Sequence, residues 1–77
     1  MDPQATFDDL LAALGDHDWD RVDELSNALL GWLKRGGFPP HTLGSEHIGK
    51  DWHHTIAVIV CQLAKFEAWH VRNGGAA

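Results

Sequence analysis

The stretch DWHHTIAVIVCQLAKFEAWH, which runs from Asp51 to His70, decides the fold of this chain. Its largest apolar side chains recur four and three positions apart, which is the spacing of residues that share one face of an α-helix. Two glycines follow at positions 74 and 75, where such a helix can end. We therefore predict a helix over about residues 51–73, with Asp51 as its N-cap. The residues at this spacing, called here the heptad row, are Trp52, Ile56, Ile59, Leu63 and Phe66.

Apolar residues cover almost the whole circumference of this predicted helix. A second row, formed by Ala57, Val60, Ala64 and Val71, lies beside the heptad row, and Val58 and Cys61 occupy the remaining side. A helix on the surface of a small bundle needs an apolar stripe only a little wider than about 100°. The helix is therefore predicted to be a core helix, with Trp52 buried, and also a contact surface. The competing hypothesis is that the loop 38–50 folds over the exposed side and seals it.

Two shorter helices precede this one. Phe7, Leu10, Leu11 and Leu14 form one apolar face, which predicts a helix over about residues 3–14 that begins after the cap Asp2 and stops at Gly15. A second helix is predicted over about 18–35, capped by Asp18 and ended by Gly36 and Gly37. Because the turn between them is short, the two helices should form an antiparallel hairpin. The predicted fold class is all-α, a small three-helix domain in which a longer third helix packs across the hairpin.

The segment 36–50 is the one long loop in this prediction, because it is rich in glycine and proline. We expect a single helical turn near its end, around Ser45–Ile48 with Ser45 as the cap, and we expect Phe38 to pack against the hairpin. The tail 74–77 is expected to be flexible. With 77 residues the chain is predicted to be one domain, near the lower size limit at which a single core is sufficient.

The charge of the chain is acidic and uneven. Residues 1–24 hold eight acids and one base, whereas residues 25–77 hold three acids and five bases, within a net charge of −5. Nucleic-acid backbones are bound mainly by clusters of Lys and Arg, so we expect no direct nucleic-acid binding. An acidic surface of this kind is typical of a solvated face. It also leaves open an acidic inhibitor that mimics nucleic acid and occupies a basic site on an enzyme.

The compartment is predicted from what the sequence lacks. Cys61 is a lone cysteine, which fits a reducing environment, and the acidic N-terminus has no basic segment of a secretory signal. The longest run without a charged residue, Trp52 to Ala64, has 13 residues, whereas a membrane-spanning helix needs about 20 apolar ones. We therefore expect a cytoplasmic protein without membrane contact.

Histidines and acids of the third helix and its preceding loop form a candidate metal site. Neutral imidazole is a common metal ligand, and a carboxylate can accompany it. Glu67 and His70 have the i, i+3 spacing that di-iron helical bundles use. Helix capping and surface exposure explain the same residues without a metal, so no cofactor is predicted and the metal site remains the alternative. The candidate ligands are His47, Asp51, His53, His54, Glu67 and His70.

No arrangement of residues in the sequence indicates catalysis. Cys61 lies in an apolar helix, where a thiol behaves as a small hydrophobic group, and neither serine has a recognisable base beside it. We therefore expect no enzyme.

The leading hypothesis is a protein–protein interaction module that binds itself as a homodimer, or another helical protein, and serves as an adaptor or regulator of a larger protein. The four tryptophans support it, because Trp is enriched among interface hot spots. At least one of them should be exposed, and Trp32 and Leu33 should not both be buried. The predicted interface residues are Trp32, Trp52, Ile56, Val58, Ile59, Val60, Leu63, Phe66 and Trp69.

Overall fold

The computed structural model describes residues 1–43 and 46–74, and it confirms the all-α fold class. Helix α1 spans Pro3–Gly15, helix α2 spans Trp19–Lys34, and helix α3 spans Gly49–Arg72, directly after a 3₁₀ turn at Glu46–Ile48. No strand occurs among these residues. None of the helices in this part of the chain is both long enough and apolar enough to cross a membrane. The cap predicted at Ser45 and the tail beyond Gly74 lie outside the described residues.

The starts of α1 and α2 follow the predicted caps. The Asp2 carboxylate accepts hydrogen bonds from the backbone N–H groups of Gln4 and Ala5 at 3.0 and 3.1 Å. The Asp18 carboxylate accepts one from Arg21 N–H at 3.3 Å. Each bond satisfies a donor that the first turn of a helix otherwise leaves without a partner.

The ends of α1 and α2 share one backbone arrangement but use different residues. Both chains turn through a left-handed residue, which is His17 with φ 55° after α1 and Gly36 with φ 85° after α2. Asp18 N–H then donates to Ala13 C=O, and Gly37 N–H donates to Trp32 C=O, both at 3.0 Å. Glycine is the usual residue at such a left-handed position, but after α1 the position is taken by His17. The prediction that Gly15 stops α1 is therefore wrong. The helix includes Gly15, and His17 makes the turn.

Helix α2 lies between the other two helices and contacts both. Helix α3 runs antiparallel to it, since His54 lies beside the Leu33 carbonyl at one end and Arg72 pairs with Asp20 and Asp23 at the other. Between these ends, Lys65 Nζ donates to the Asn27 side-chain oxygen at 2.6 Å. The third helix therefore runs along α2 over almost its full length.

The core combines large side chains from the hairpin with small ones from α3. The hairpin contributes Phe7, Leu10, Ala13, Val22, Leu25, Leu29 and Leu33. Helix α3 contributes four residues, called here the small-residue face, which are Ala57, Cys61, Ala64 and Ala68. Small residues allow the backbone of α3 to lie close to the leucines of α2, so a well-filled core forms without a large side chain from α3.

Three local predictions are wrong. Helix α3 begins at Gly49 with φ 83°, so Asp51 lies inside the first turn and does not cap it. The Phe38 ring is 70% exposed and lies under the Lys50 ammonium, 4.8 Å from ring centroid to Nζ. Only the Phe38 carbonyl faces the hairpin, where it accepts a hydrogen bond from the Trp32 indole N–H at 2.7 Å. Trp52, predicted to be buried, is exposed.

Candidate interaction surface on the third helix

The heptad row faces solvent along most of α3. Trp52, Leu63 and Phe66 are 60–63% exposed, Ile59 is 48% exposed, and Ile56 is partly buried. Trp69 lies at the edge of this row and is 61% exposed. The largest apolar side chains of the helix are therefore those that the core does not use.

The orientation of α3 explains this exposure. Each residue advances about 100° around a helix, so the heptad row and the small-residue face lie roughly 150° apart. When Ala57 and Cys61 turn towards α2, Ile59 and Leu63 must point away from it. The heptad row was predicted to contribute to the core, and the structure shows the opposite: the row beside it and the Cys61 side provide the buried contacts.

The described part of the loop before α3 does not cover the heptad row. His41 is held by Gln4 of α1, whose side chain accepts a hydrogen bond from His41 N–H at 2.8 Å. The ring of His41 stacks on that of His53, with centroids 5.0 Å apart, and Thr42 N–H donates to His53 Nδ1 at 3.0 Å. Because His53 lies on the buried side of α3, this segment seals the end of the core. The competing hypothesis was that the loop 38–50 folds over the exposed side, and the described residues of this loop do not do so.

A groove lies beside the heptad row, between α3 and the end of α1. Its volume is about 500 Å³, and its walls are mostly apolar. Leu14 lines this groove, although the sequence pattern predicted it only as part of the apolar face of the first helix. The exposure of its neighbour Leu11 shows that this face is wider than the core needs. The lining residues are Leu14, Val60, Leu63, Ala64, Phe66 and Glu67.

The other predicted interface residues are less exposed. Val58 and Val60 are partly buried and pack against the core. Trp32 is also partly buried, with its indole N–H bonded to the Phe38 carbonyl, while its neighbour Leu33 is buried. These three residues border the exposed surface and contribute less to it than the heptad row.

The candidate metal ligands do not come together. Among the described residues, no group of three or more His, Cys, Asp and Glu side chains is close enough to hold an ion. Asp51 is exposed near the start of α3, and His54 Nε2 lies 3.5 Å from the Leu33 carbonyl oxygen. Glu67 lines the apolar groove, and the His70 ring stacks on Phe66 with centroids 5.7 Å apart. His47 lies in the 3₁₀ turn that precedes α3.

The hydrogen bonds of His53 make it a poor metal ligand. Its Nδ1 accepts the Thr42 N–H bond, so in the neutral ring the proton must be on Nε2. Nε2 is buried and has no hydrogen-bond partner among the described residues. A metal needs a free nitrogen lone pair, but one lone pair of this ring is already engaged and the other nitrogen carries the proton. The residue instead links the loop to the start of α3.

Cys61 is a core residue. It is fully buried, and burial raises the pKa of its thiol to about 11, while the positive charge of Lys65 acts in the opposite direction. A thiol is nucleophilic only as the thiolate, so near neutral pH this group is chemically inert. Its role is to provide a small side chain where α3 meets α2.

The described residues thus leave the heptad row and Trp69 exposed, with an apolar groove beside the row. Comparison of the chain with protein-family models, with curated proteins and with solved structures finds no match.

Proposed function

We propose that this protein is a non-catalytic interaction module that self-associates through the heptad row of α3. The observation that supports the proposal is the outward orientation of this row. A helix that needed only to complete the bundle would place its largest apolar side chains in the core, whereas α3 places small residues there and exposes the large ones.

The size of the exposed surface supports an interface. A fully covered aromatic side chain buries roughly 150–250 Å², so Trp52, Phe66 and Trp69 together leave roughly 300–450 Å² in water. Ile59 and Leu63 add to this area. The largest apolar patch on a typical monomer spans roughly 300–600 Å², so the surface is at the upper end of that range.

The surface also has the composition of an interface centre with a polar rim. No heptad-row residue is charged, and Thr55, Gln62 and Glu67 lie exposed along its edges. A standard stable interface buries roughly 800 Å² on each partner, with an apolar centre and polar edges.

A second copy of the chain is the partner that this surface fits best. The four-and-three spacing is the pattern with which two helices interdigitate along a shared axis, and an identical helix offers the same spacing. In a two-fold dimer the same surface of both copies is buried, so no exposed row remains to recruit further copies. Each copy then acts as the other's cover.

The solution mass tests this proposal. Light scattering at tens of micromolar protein should give twice the chain mass for the wild type and one chain mass for Leu63→Lys, because a charge at the centre of the row opposes its burial. The matched control is Ala28→Lys, on the exposed side of α2. Like Leu63→Lys it places a lysine four residues from a glutamate, and it should leave the dimer intact.

A monomeric wild type, or a dimeric Leu63→Lys, would contradict the proposal. Circular dichroism of each variant shows that the helices remain formed. Leu63 is a better site for this test than Val58 or Val60, since both valines also pack against the core and their replacement would unfold the monomer.

A further inference from the structure

We propose that the two copies of α3 pack antiparallel, with the two-fold axis level with residue 61. This inference rests on the proposed self-association and specifies its geometry. The order of the residues along the heptad row sets the level of the axis, and the sizes of the side chains and the distribution of charge along the molecule support the antiparallel direction.

The heptad row has the same spacing in both directions. With His70, which stacks on Phe66 and extends the row by one position, its members lie four, three, four, three and four residues apart. A copy that runs in the opposite direction therefore aligns with every member when the axis lies at residue 61. The layers that result are Trp52 with the partner's His70, Ile56 with the partner's Phe66, and Ile59 with the partner's Leu63.

Side-chain size favours this pairing over the parallel one. In a parallel dimer each residue lies level with the same residue of the partner. Trp52 then packs on the partner's Trp52 and Phe66 on the partner's Phe66, while the pairs formed by Ile56 and by Ile59 are much thinner layers. Packed helices lie roughly 8–10 Å apart, and layers of alternating thickness leave gaps or overlaps. The antiparallel pairing places each large aromatic ring against an imidazole or an aliphatic side chain, which keeps the separation more even.

Charge along the molecule favours the same direction. The turn after α1 and the first half of α2 form an acidic end, and Arg72 ties the end of α3 to it through Asp20 and Asp23. The opposite end, beside the start of α3, has mixed charge, because it carries Asp2 and Asp51 as well as Lys34, Arg35 and Lys50. The acids at the first end are Asp16, Asp18, Asp20, Asp23 and Glu24.

A parallel dimer would bring two acidic ends together, and like charges facing each other oppose association. The antiparallel arrangement avoids this repulsion, because it places each acidic end beside the partner's end of mixed charge. It also sets the partial positive charge at the start of one α3 near the partial negative charge at the end of the other. Both effects should weaken with added salt, since screening acts over about 8 Å at physiological ionic strength.

Distances between spin labels test this geometry. A single exposed cysteine can be labelled selectively, because the native Cys61 is fully buried. Asp51→Cys places the label ten residues from the axis level, and at 1.5 Å per residue two such labels lie at least roughly 30 Å apart in the antiparallel dimer. In a parallel dimer the same two labels lie level with each other, roughly 10–20 Å apart.

Gln62→Cys is the matched control, because position 62 lies almost level with the axis and should give a short distance in either dimer. A long distance at 51 with a short one at 62 supports the inference. Short distances at both positions would overturn it and leave self-association intact. Absence of coupling with a monomeric mass, or long distances at both positions in a dimer, would overturn both proposals. If Asp51→Cys does not fold, Asn73→Cys provides the same test from the other end of α3, with roughly 36 Å expected.

Discussion

The two faces of α3 differ in a way that reverses a simple expectation from hydrophobicity. The small-residue face is buried against α2, while the heptad row, which holds two aromatic and three large aliphatic side chains, is largely in water. Burial within this chain follows the fit between helices, because alanine and cysteine allow α3 to approach the leucines of α2. The more hydrophobic face is left exposed to solvent.

The largest difference in stability should appear between a substitution in the core and a substitution in the heptad row. Leu29→Ala, in the centre of the core, should lower the free energy of unfolding by about 2–5 kcal/mol, because it removes packed methyl groups and leaves a cavity. Leu63→Ala should change it by less than about 0.5 kcal/mol in dilute, monomeric protein. Urea unfolding at submicromolar concentration measures both. Equal losses would show that the heptad row is part of the core.

Overpacking of the small-residue face should have the next largest effect. Ala57→Leu inserts three extra carbon atoms where α3 meets the core and should destabilise the protein by about 1–3 kcal/mol. Ala28→Leu, at an exposed position of α2, is the control and should change the stability by less than about 0.5 kcal/mol. A tolerated leucine at position 57 would mean that α3 does not depend on close approach.

The Cys61 thiol should make stability fall in alkaline solution. Burial raises its pKa from 9.0 to about 11, so above pH 9 the unfolded chain loses this proton more readily than the folded one. The contribution is fully present below pH 9 and is lost as the pH rises towards 11. Between about pH 8 and about pH 10 the loss should be about 1.4 kcal/mol. Unfolding of Cys61→Ala across the same range is the control, and a slope equal to that of the wild type would contradict the prediction.

The smallest effect should come from the charges at the edge of the α2–α3 contact. Arg72 pairs with Asp20 and Asp23, but these side chains are partly or fully exposed. Arg72→Met should therefore lower the stability by less than about 1 kcal/mol, and by less still at high salt. A loss comparable to that of Leu29→Ala would mean that charge, more than fit, holds α3 in place. Thermal unfolding at two salt concentrations separates the two explanations.

Much of the fold follows from local signals in the sequence. Asp2 and Asp18 cap the first two helices as predicted, and every helix boundary lies within two residues of its predicted position. These features depend on a few neighbouring residues. The turn at His17 could not be predicted, because no local sequence pattern marks a residue other than glycine that adopts a left-handed conformation. The same holds for the start of α3 at Gly49, two residues before the acid that was expected to cap it.

The direction in which α3 faces could not be predicted from periodicity. Both the heptad row and the small-residue face recur at helical spacing, so hydrophobic pattern alone favours the larger residues as the core. The choice depends on how closely α3 can approach α2, which is a property of the assembled helices. The separation of the candidate metal ligands could not be predicted for a related reason. Spacing places residues on one face of a helix, but it does not show that the Thr42 backbone N–H is already bonded to Nδ1 of His53.

The placement of the four tryptophans has a consequence for spectroscopy. Trp19 and Trp32 are partly buried, whereas Trp52 and Trp69 stand in water on the surface that a second copy would cover. Their emission should therefore shift to shorter wavelength as this surface is buried and return to longer wavelength on dilution. For the proposed self-association the two tryptophans are therefore a built-in optical reporter, and a titration followed by intrinsic fluorescence should give the dissociation constant without any added label.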